Sequence, residues 1–216
     1  MFEYKDIKIN WFGHSSFELS DGSIVYIDPY QVRPRRTADI VLVSHDHFDH
    51  CSRSDIQKIS TPNTVIVTTR VCKDKLSGLD ARFIVVEPGK RVAVNNIAVE
   101  AVAAYNINKF RSPGVPYHAK GSGVGFIVTL AGVRVYHAGD TDFIPEMNEL
   151  KGKVDIALLP VSGTYVMTAE EAAAAVDAIE PAVAVPMHYG SVVGSIVDAK
   201  EFEKLAKCRV EILKPE

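Results

Sequence analysis

Short runs of apolar and β-branched residues recur along this chain, some alternating with polar positions and some continuous. Ile7 to Phe12, Ser16 to Leu19, Ile24 to Asp28 and Ile40 to Ser44 read as strands in quick succession. Asp21-Gly22, between the second and third, is a hairpin turn in which glycine supplies the positive φ. Further strands are expected at Thr64 to Thr68, Phe83 to Val86, Arg91 to Val94, Ile97 to Ala103, Gly125 to Leu130, Val133 to His137, Ile156 to Leu159 and Val183 to Pro186.

Helical signals are fewer. Ser52-Arg53-Ser54-Asp55 has capping-box spacing and opens a helix to about Ile59; Thr168-Ala169-Glu170-Glu171 opens an alanine-rich helix that ends before Pro181. A last helix is expected over Ala199 to Ala206. Strand-rich halves with helices interposed predict two sheets packed face to face, with helices outside. Tyr105 to Gly123, containing Asn106, Pro113, Gly114, Pro116 and Gly121, is the most irregular segment, and a loop of that length is functional or disordered.

Composition narrows the classes of function. The chain has 216 residues, 47% of them apolar, and residues 1–216 suit a single domain. A net charge of -3 offers neither a basic field for nucleic acid nor an acidic tail. Phe2-Glu3-Tyr4-Lys5-Asp6 lacks the basic flank and apolar core of a secretory signal, and runs such as Ile156 to Val161 are strand-length rather than membrane-length. Cys51, Cys72 and Cys208 are odd in number and show no CxxC spacing. A cytoplasmic protein with reduced thiols is expected; oligomeric state carries no signal.

The chemistry is concentrated in the histidines. His45, His47 and His50 fall within six residues, with Asp49 among them, between an apolar strand and the capped helix at Ser52. A strand-to-helix loop presents side chains from a rigid sheet. Neutral imidazole and carboxylate suit zinc and other borderline divalent ions. Two histidines separated by one residue can converge on one ion, and the following Asp-His pair points to a second. Strand-end positions supply the remaining candidates: His118 before the glycine-rich run Gly121 to Gly125, Asp140 after Val133 to Gly139, and His188 after Ala182 to Met187.

With these motifs in view, His45 to His50, Gly139-Asp140-Thr141 and Pro186-Met187-His188-Tyr189-Gly190 resemble the metallo-β-lactamase superfamily. Gly13-His14-Ser15-Ser16-Phe17, Ile27-Asp28-Pro29 and Leu158-Leu159-Pro160 resemble its branch of metal-dependent hydrolases similar to ascorbate-6-phosphate lactonase. The likeness runs from about Trp11 to His188. It implies an α+β fold, a four-layer αββα sandwich of two mixed sheets with helices outside. It also implies that His45, His47 and His118 hold a first ion, that Asp49, His50 and His188 hold a second, and that Asp140 bridges them. His137 competes with His118; His118 is preferred because His137 falls inside a strand, where its ring can pack.

Other polar residues take lesser parts. The resemblance sets His14 beside the site, as a substrate contact or as support for a ligand. Asp28 either accepts the free N–H of a ligating histidine or forms an Asx-type turn with Pro29. Asp46 is expected to point away from the ions and to hydrogen-bond near them, Asp142 to cap a helix, and Cys51 to pack as a small buried residue. Lys109, Arg111 and Lys120 share the long loop with His118 and suit an anionic substrate; Arg33, Arg35 and Arg36 are weaker candidates.

The expected function is therefore hydrolysis of a small ester, lactone or phosphoester by a hydroxide held on two divalent ions, with Asp49 and Asp140 nearest its proton. Zinc is the default; manganese, iron or nickel fits similar ligands. The alternatives are a phosphodiesterase or nuclease of the same fold, and a metal-binding protein without turnover.

Overall fold

A computed structural model describes residues 1–33 and 36–216; Arg35, a weak candidate above, lies outside the described residues. The first sheet contains seven strands: β1 (Phe2–Tyr4), β2 (Ile7–Gly13), β3 (Ser16–Ser20), β4 (Ile24–Ile27), β5 (Ile40–Val43), β6 (Val65–Thr68) and β7 (Arg82–Val85), neighbours in that order. β1 to β4 pair antiparallel and β4 to β7 parallel. Helices α1 (Arg53–Ile59) and α2 (Arg70–Lys75) are the crossovers that parallel pairing requires.

The pleat divides the strand residues between two cores. Val25, Ile27, Ile40, Leu42, Val65 and Val67 face inward to the apolar layer between the sheets. Their neighbours Ile24, Tyr26, Val41, Val43 and Ile66 pack outward against Ile56 and Ile59 of α1 and Cys72 and Leu76 of α2. Both faces are thus covered, and the strands read as continuous apolar runs for that reason.

The second half begins with β8 (Arg91–Val94) and β9 (Ile97–Ala104), then a small hairpin of β10 (Phe110–Ser112) and β11 (Val115–Pro116). β12 (Gly123–Leu130), β13 (Val133–His137), β14 (Ile156–Pro160), α3 (Ala169–Ile179), β15 (Val183–Met187), α4 (Ile196–Leu205) and β16 (Arg209–Val210) complete it. The second sheet runs β16-β15-β14-β13-β12-β9-β8, with β13 to β16 parallel. α3 packs on β14 and α4 on β15, which gives the αββα layering. No helix among the described residues is long and apolar enough to cross a membrane.

Several local expectations change. Ser52 caps α1 by accepting from Asp55 N, but the Asp55 carboxylate takes the Ser52 hydroxyl at 2.6 Å, so the reciprocal box does not form. The box at Thr168 and Glu171 is complete. α4 starts earlier than expected, capped by Ser195. Part of the irregular segment is ordered as β10 and β11, and β1, α2, β16 and a 3-10 turn over Pro145–Leu150 add to the expected elements. Asp142 caps no helix. The 3-10 turn has Ile144 at its cap position, while Asp142 accepts the backbone N–H groups of Ile107 at 2.6 Å and Asn108 at 2.8 Å.

Candidate metal centre

Parallel strands in both sheets deliver the polar residues from their carboxyl ends, the edge at which open α/β sheets bind ligands. β4 ends into Asp28, β5 into Ser44 and His45, β13 into Asp140, and β15 into His188. Asp28 (φ +45°) and His188 (φ +61°) leave their strands through left-handed backbone, as does His14 (φ +51°) after the antiparallel strand β2. Gly139 makes the corresponding turn before Asp140 at φ +65°, where a Cβ would lie 2.8 Å from the Val124 carbonyl oxygen.

Two groups of donors result. His45, His47, His118 and Asp140 have ligand atoms within 4.8 Å of one another, as do His14, Asp49, His50 and His188. Asp140 joins the groups. Its Oδ2 lies 3.2 Å from His118 Nε2, 3.8 Å from His45 Nε2 and 3.1 Å from His188 Nε2, and its Oδ1 lies 3.2 Å from His50 Nε2. His137 lies elsewhere: its Nε2 donates to the Ser15 carbonyl at 2.9 Å and its Nδ1 accepts from Gly139 N at 3.2 Å.

The histidine rings are set from outside the cluster. Asp28 accepts Ser44 N at 2.7 Å, Ser44 Oγ at 2.6 Å and His50 Nδ1 at 2.8 Å. Because the Ser44 hydroxyl gives its proton to Asp28, it accepts from His45 Nδ1 at 3.0 Å. Asn106 Oδ1 accepts both the backbone N–H and Nδ1 of His118 at 2.8 Å, while its amide donates to Asp142 and the Tyr165 carbonyl. His45, His50 and His118 each spend the Nδ1 proton outward and turn Nε2 inward. Nδ1 of His188 lies 3.0 Å from Ser162 Oγ.

The interior these rings enclose calls for positive charge. His45 Nε2, His50 Nε2 and Asp140 Oδ1 are buried and have no hydrogen-bond partner. Among the described residues, Asp28, Asp49 and Asp140 pair with histidines and with no lysine or arginine. Buried carboxylates of this kind are stabilised by a paired or coordinated cation. Burial disfavours a charge on His50, yet Asp140 and Asp28 on either side hold its pKa well above the ordinary value. Burial, reinforced by His50, pushes His45 well below it, and burial with His118 lowers His47. Burial also opposes the charge on Asp49, but His14 and His50 keep its carboxyl down at about 2. The donor set fits divalent ions.

A cavity of about 390 Å³ opens onto the donors, with His47, Asp49, His118, Asp140 and His188 at its floor. Phe48, Tyr117, Tyr165 and Val192 wall it, and Tyr117 and Tyr165 meet edge-on at 4.7 Å. Arg111 is the cation of its lining; it donates to the Tyr117 carbonyl at 3.0 Å and its guanidinium lies 5.8 Å from that ring.

The remaining polar candidates divide between the cavity and partners elsewhere. Lys109 turns from the cavity to Glu171 at 2.6 Å and Asp142 at 3.5 Å, pinning the loop to α3. Lys120 binds Glu146 at 2.8 Å and faces a separate groove of about 600 Å³ on the β9–β12–β13 face. In that groove Glu100 lies 3.0 Å from Arg91, so its cations are partly neutralised locally. Asp46 ties the loop from His45 to His50 to α2 through Lys75 and contacts no ligand candidate. Arg36 pairs with Glu18, and Cys51 is buried beside the α1–α2 core. Asn106, Ser44, Tyr117 and Tyr165 carry no site signal of their own in the sequence, although Ser44 ends an expected strand and Asn106 and Tyr117 fall in the irregular segment from Tyr105 to Gly123.

Comparison with known proteins agrees with this architecture. The model of the family described as "Beta-lactamase superfamily domain" matches residues 8–188. A metal-dependent hydrolase from Thermoplasma acidophilum is 32% identical over 94% of this chain and 92% of its own length. A crystal structure of a protein from Parabacteroides distasonis is 32% identical with a TM-score of 0.85, covering 100% of this chain and 97% of that one. A metallo hydrolase from Ignicoccus hospitalis is 25% identical with a TM-score of 0.78, covering 97% of this chain and 95% of that one.

Proposed function

This chain belongs to the β-lactamase superfamily, among its metal-dependent hydrolases, and we propose that it hydrolyses a small ester, lactone or phosphoester at a dinuclear metal centre. The observation that carries this reading is the position of Asp140, whose two oxygens face histidines of both donor groups at 3.1–3.2 Å. His45, His47 and His118 would hold one ion, Asp49, His50 and His188 the other, and Asp140 would bridge them. Zinc is the first candidate for such donors, with manganese, iron and nickel next. Bound there, two divalent ions supply Lewis acidity toward a carbonyl or phosphoryl oxygen and an acidified water as nucleophile.

The chain's own residues do the rest. Asp49 and Asp140 line the cavity floor and are the carboxylates that would stand nearest the nucleophile's proton. Phe48, Tyr117, Tyr165 and Val192 receive the apolar body of a substrate and thin the water around it. Arg111 at the wall offers a planar fork to a carboxylate or phosphate, so an anionic substrate fits best.

The test is metal analysis of purified protein joined to a panel of lactones, carboxylic esters and phosphodiesters. Two ions per chain with turnover of one substrate class are expected. Asp49→Ala and His188→Ala should each drop metal content toward one ion, with activity falling in parallel. Unchanged metal content in both variants would sink the ligand assignment. Full metal loading with no turnover across the panel would favour a binding protein, and turnover of phosphodiesters alone would favour the phosphodiesterase reading.

A further inference from the structure

His14 is a buried histidine beside the donors that the reading above leaves without a role. Its side chain is 1% exposed, and its backbone is locked from both sides. The His14 carbonyl accepts from Trp11 Nε1 at 2.9 Å and from His188 N at 2.8 Å, joining the turn after β2 to the end of β15. The ring is oriented with equal firmness. Nδ1 lies 3.1 Å from the Ser191 carbonyl oxygen, which can only accept, so Nδ1 carries the proton. A neutral ring protonated there has only a lone pair at Nε2. That lone pair faces Asp49 Oδ2, itself an acceptor, at 2.9 Å. Two acceptors at this separation need a shared cation or an added proton between them.

The surrounding atoms favour the cation. Donor atoms of His14, Asp49, His50 and His188 all lie within 4.8 Å of one another, and the His14 and His188 rings are 4.0 Å apart. We infer that His14 Nε2 is a direct ligand of the second ion, which then takes three histidines and Asp49 and shares Asp140 with the first. The inference rests on the dinuclear reading and makes the two sites unequal. All four donors of the second group are buried, whereas His47 of the first is partly exposed, so the second ion would be the more enclosed and the first would keep the exchangeable positions.

The test uses zinc alone. His14→Asn suits a left-handed backbone and leaves the two carbonyl hydrogen bonds in place. In competition with a chromogenic chelator, the wild type should bind two ions. His14→Asn should keep the first affinity and lose more on the second than the roughly tenfold to hundredfold cost of removing a partner one layer beyond the ligands. In nitrogen-15 spectra of the zinc-loaded wild type, the His14 ring should show a protonated Nδ1 and an unprotonated, zinc-shifted Nε2. This measurement decides the matter should the variant fold poorly. An Nε2 proton or an imidazolium persisting at full zinc loading overturns the inference and leaves the dinuclear reading standing. Uptake of a single ion by the wild type overturns both.

Discussion

Asp28 and His50, neither with any solvent exposure, share a 2.8 Å hydrogen bond from the ring Nδ1 to the carboxylate. The same carboxylate fixes Ser44 and, through its hydroxyl, the ring of His45. One residue therefore orients a proposed ligand of each ion. Asp28→Asn keeps the volume, removes the charge and sets an N–H against a donor. Zinc affinity should fall by roughly tenfold to hundredfold, read by chelator competition. Full affinity in Asp28→Asn would mean that the rings are held by their own loop.

Metal should also stabilise the fold. Free zinc at 100 times its dissociation constant contributes about 2.7 kcal/mol per site. For a chain of this size that corresponds to a rise in Tm of roughly 5–10 °C. Thermal unfolding with zinc and with a chelator measures the difference. Coincident curves would argue that the donor groups take no ion in solution.

Arg111 should act on substrate charge and not on chemistry. An exposed ion pair is worth up to about 1 kcal/mol, so Arg111→Met should raise KM for anionic substrates about fivefold while kcat holds. Neutral esters should be unaffected. A matched rise for both kinds would reassign the arginine to the support of Tyr117.

Acid should weaken the start of α1. Burial raises the Asp55 pKa, but Lys58 at 2.7 Å, the Ser52 hydroxyl and the Gln31 N–H together hold it below its ordinary value. A depressed native pKa adds stability that is present above the unfolded value, near pH 4, and is lost as pH falls through the folded one. Asp55→Asn should thus cost stability at pH 7, and its difference from wild type should shrink below about pH 4. Urea unfolding across pH checks this; a constant difference down to pH 3 would contradict it.

Most of the sheet framework was legible because the central strands of both sheets, β4 to β6 and β14 and β15, are buried on two faces. Val25 and Tyr26, or Ile40 and Val41, face opposite cores, so each strand appears as an unbroken apolar run. α2 was not legible, since Arg70 to Lys75 buries only Cys72 and carries no apolar stripe. In the candidate site, His45 to His50 announced itself by local spacing, whereas the Asn106–His118 contact depends on how an irregular loop folds back over twelve positions. The roles of Lys109 and Asp142 were hidden for the same reason: their partners, Glu171 and the Ile107 and Asn108 amides, are set by tertiary packing.

The left-handed turns at His14, Asp28 and His188 set the chain's folding preference against its own chemistry. A non-glycine residue in such a backbone costs of order 1 kcal/mol or more, and glycine or asparagine would relax each turn. At these three positions stability and the proposed chemistry pull apart: a substitution that eased the backbone would remove a candidate donor or its support, so a sturdier variant obtained there should come out firmer and emptier of metal.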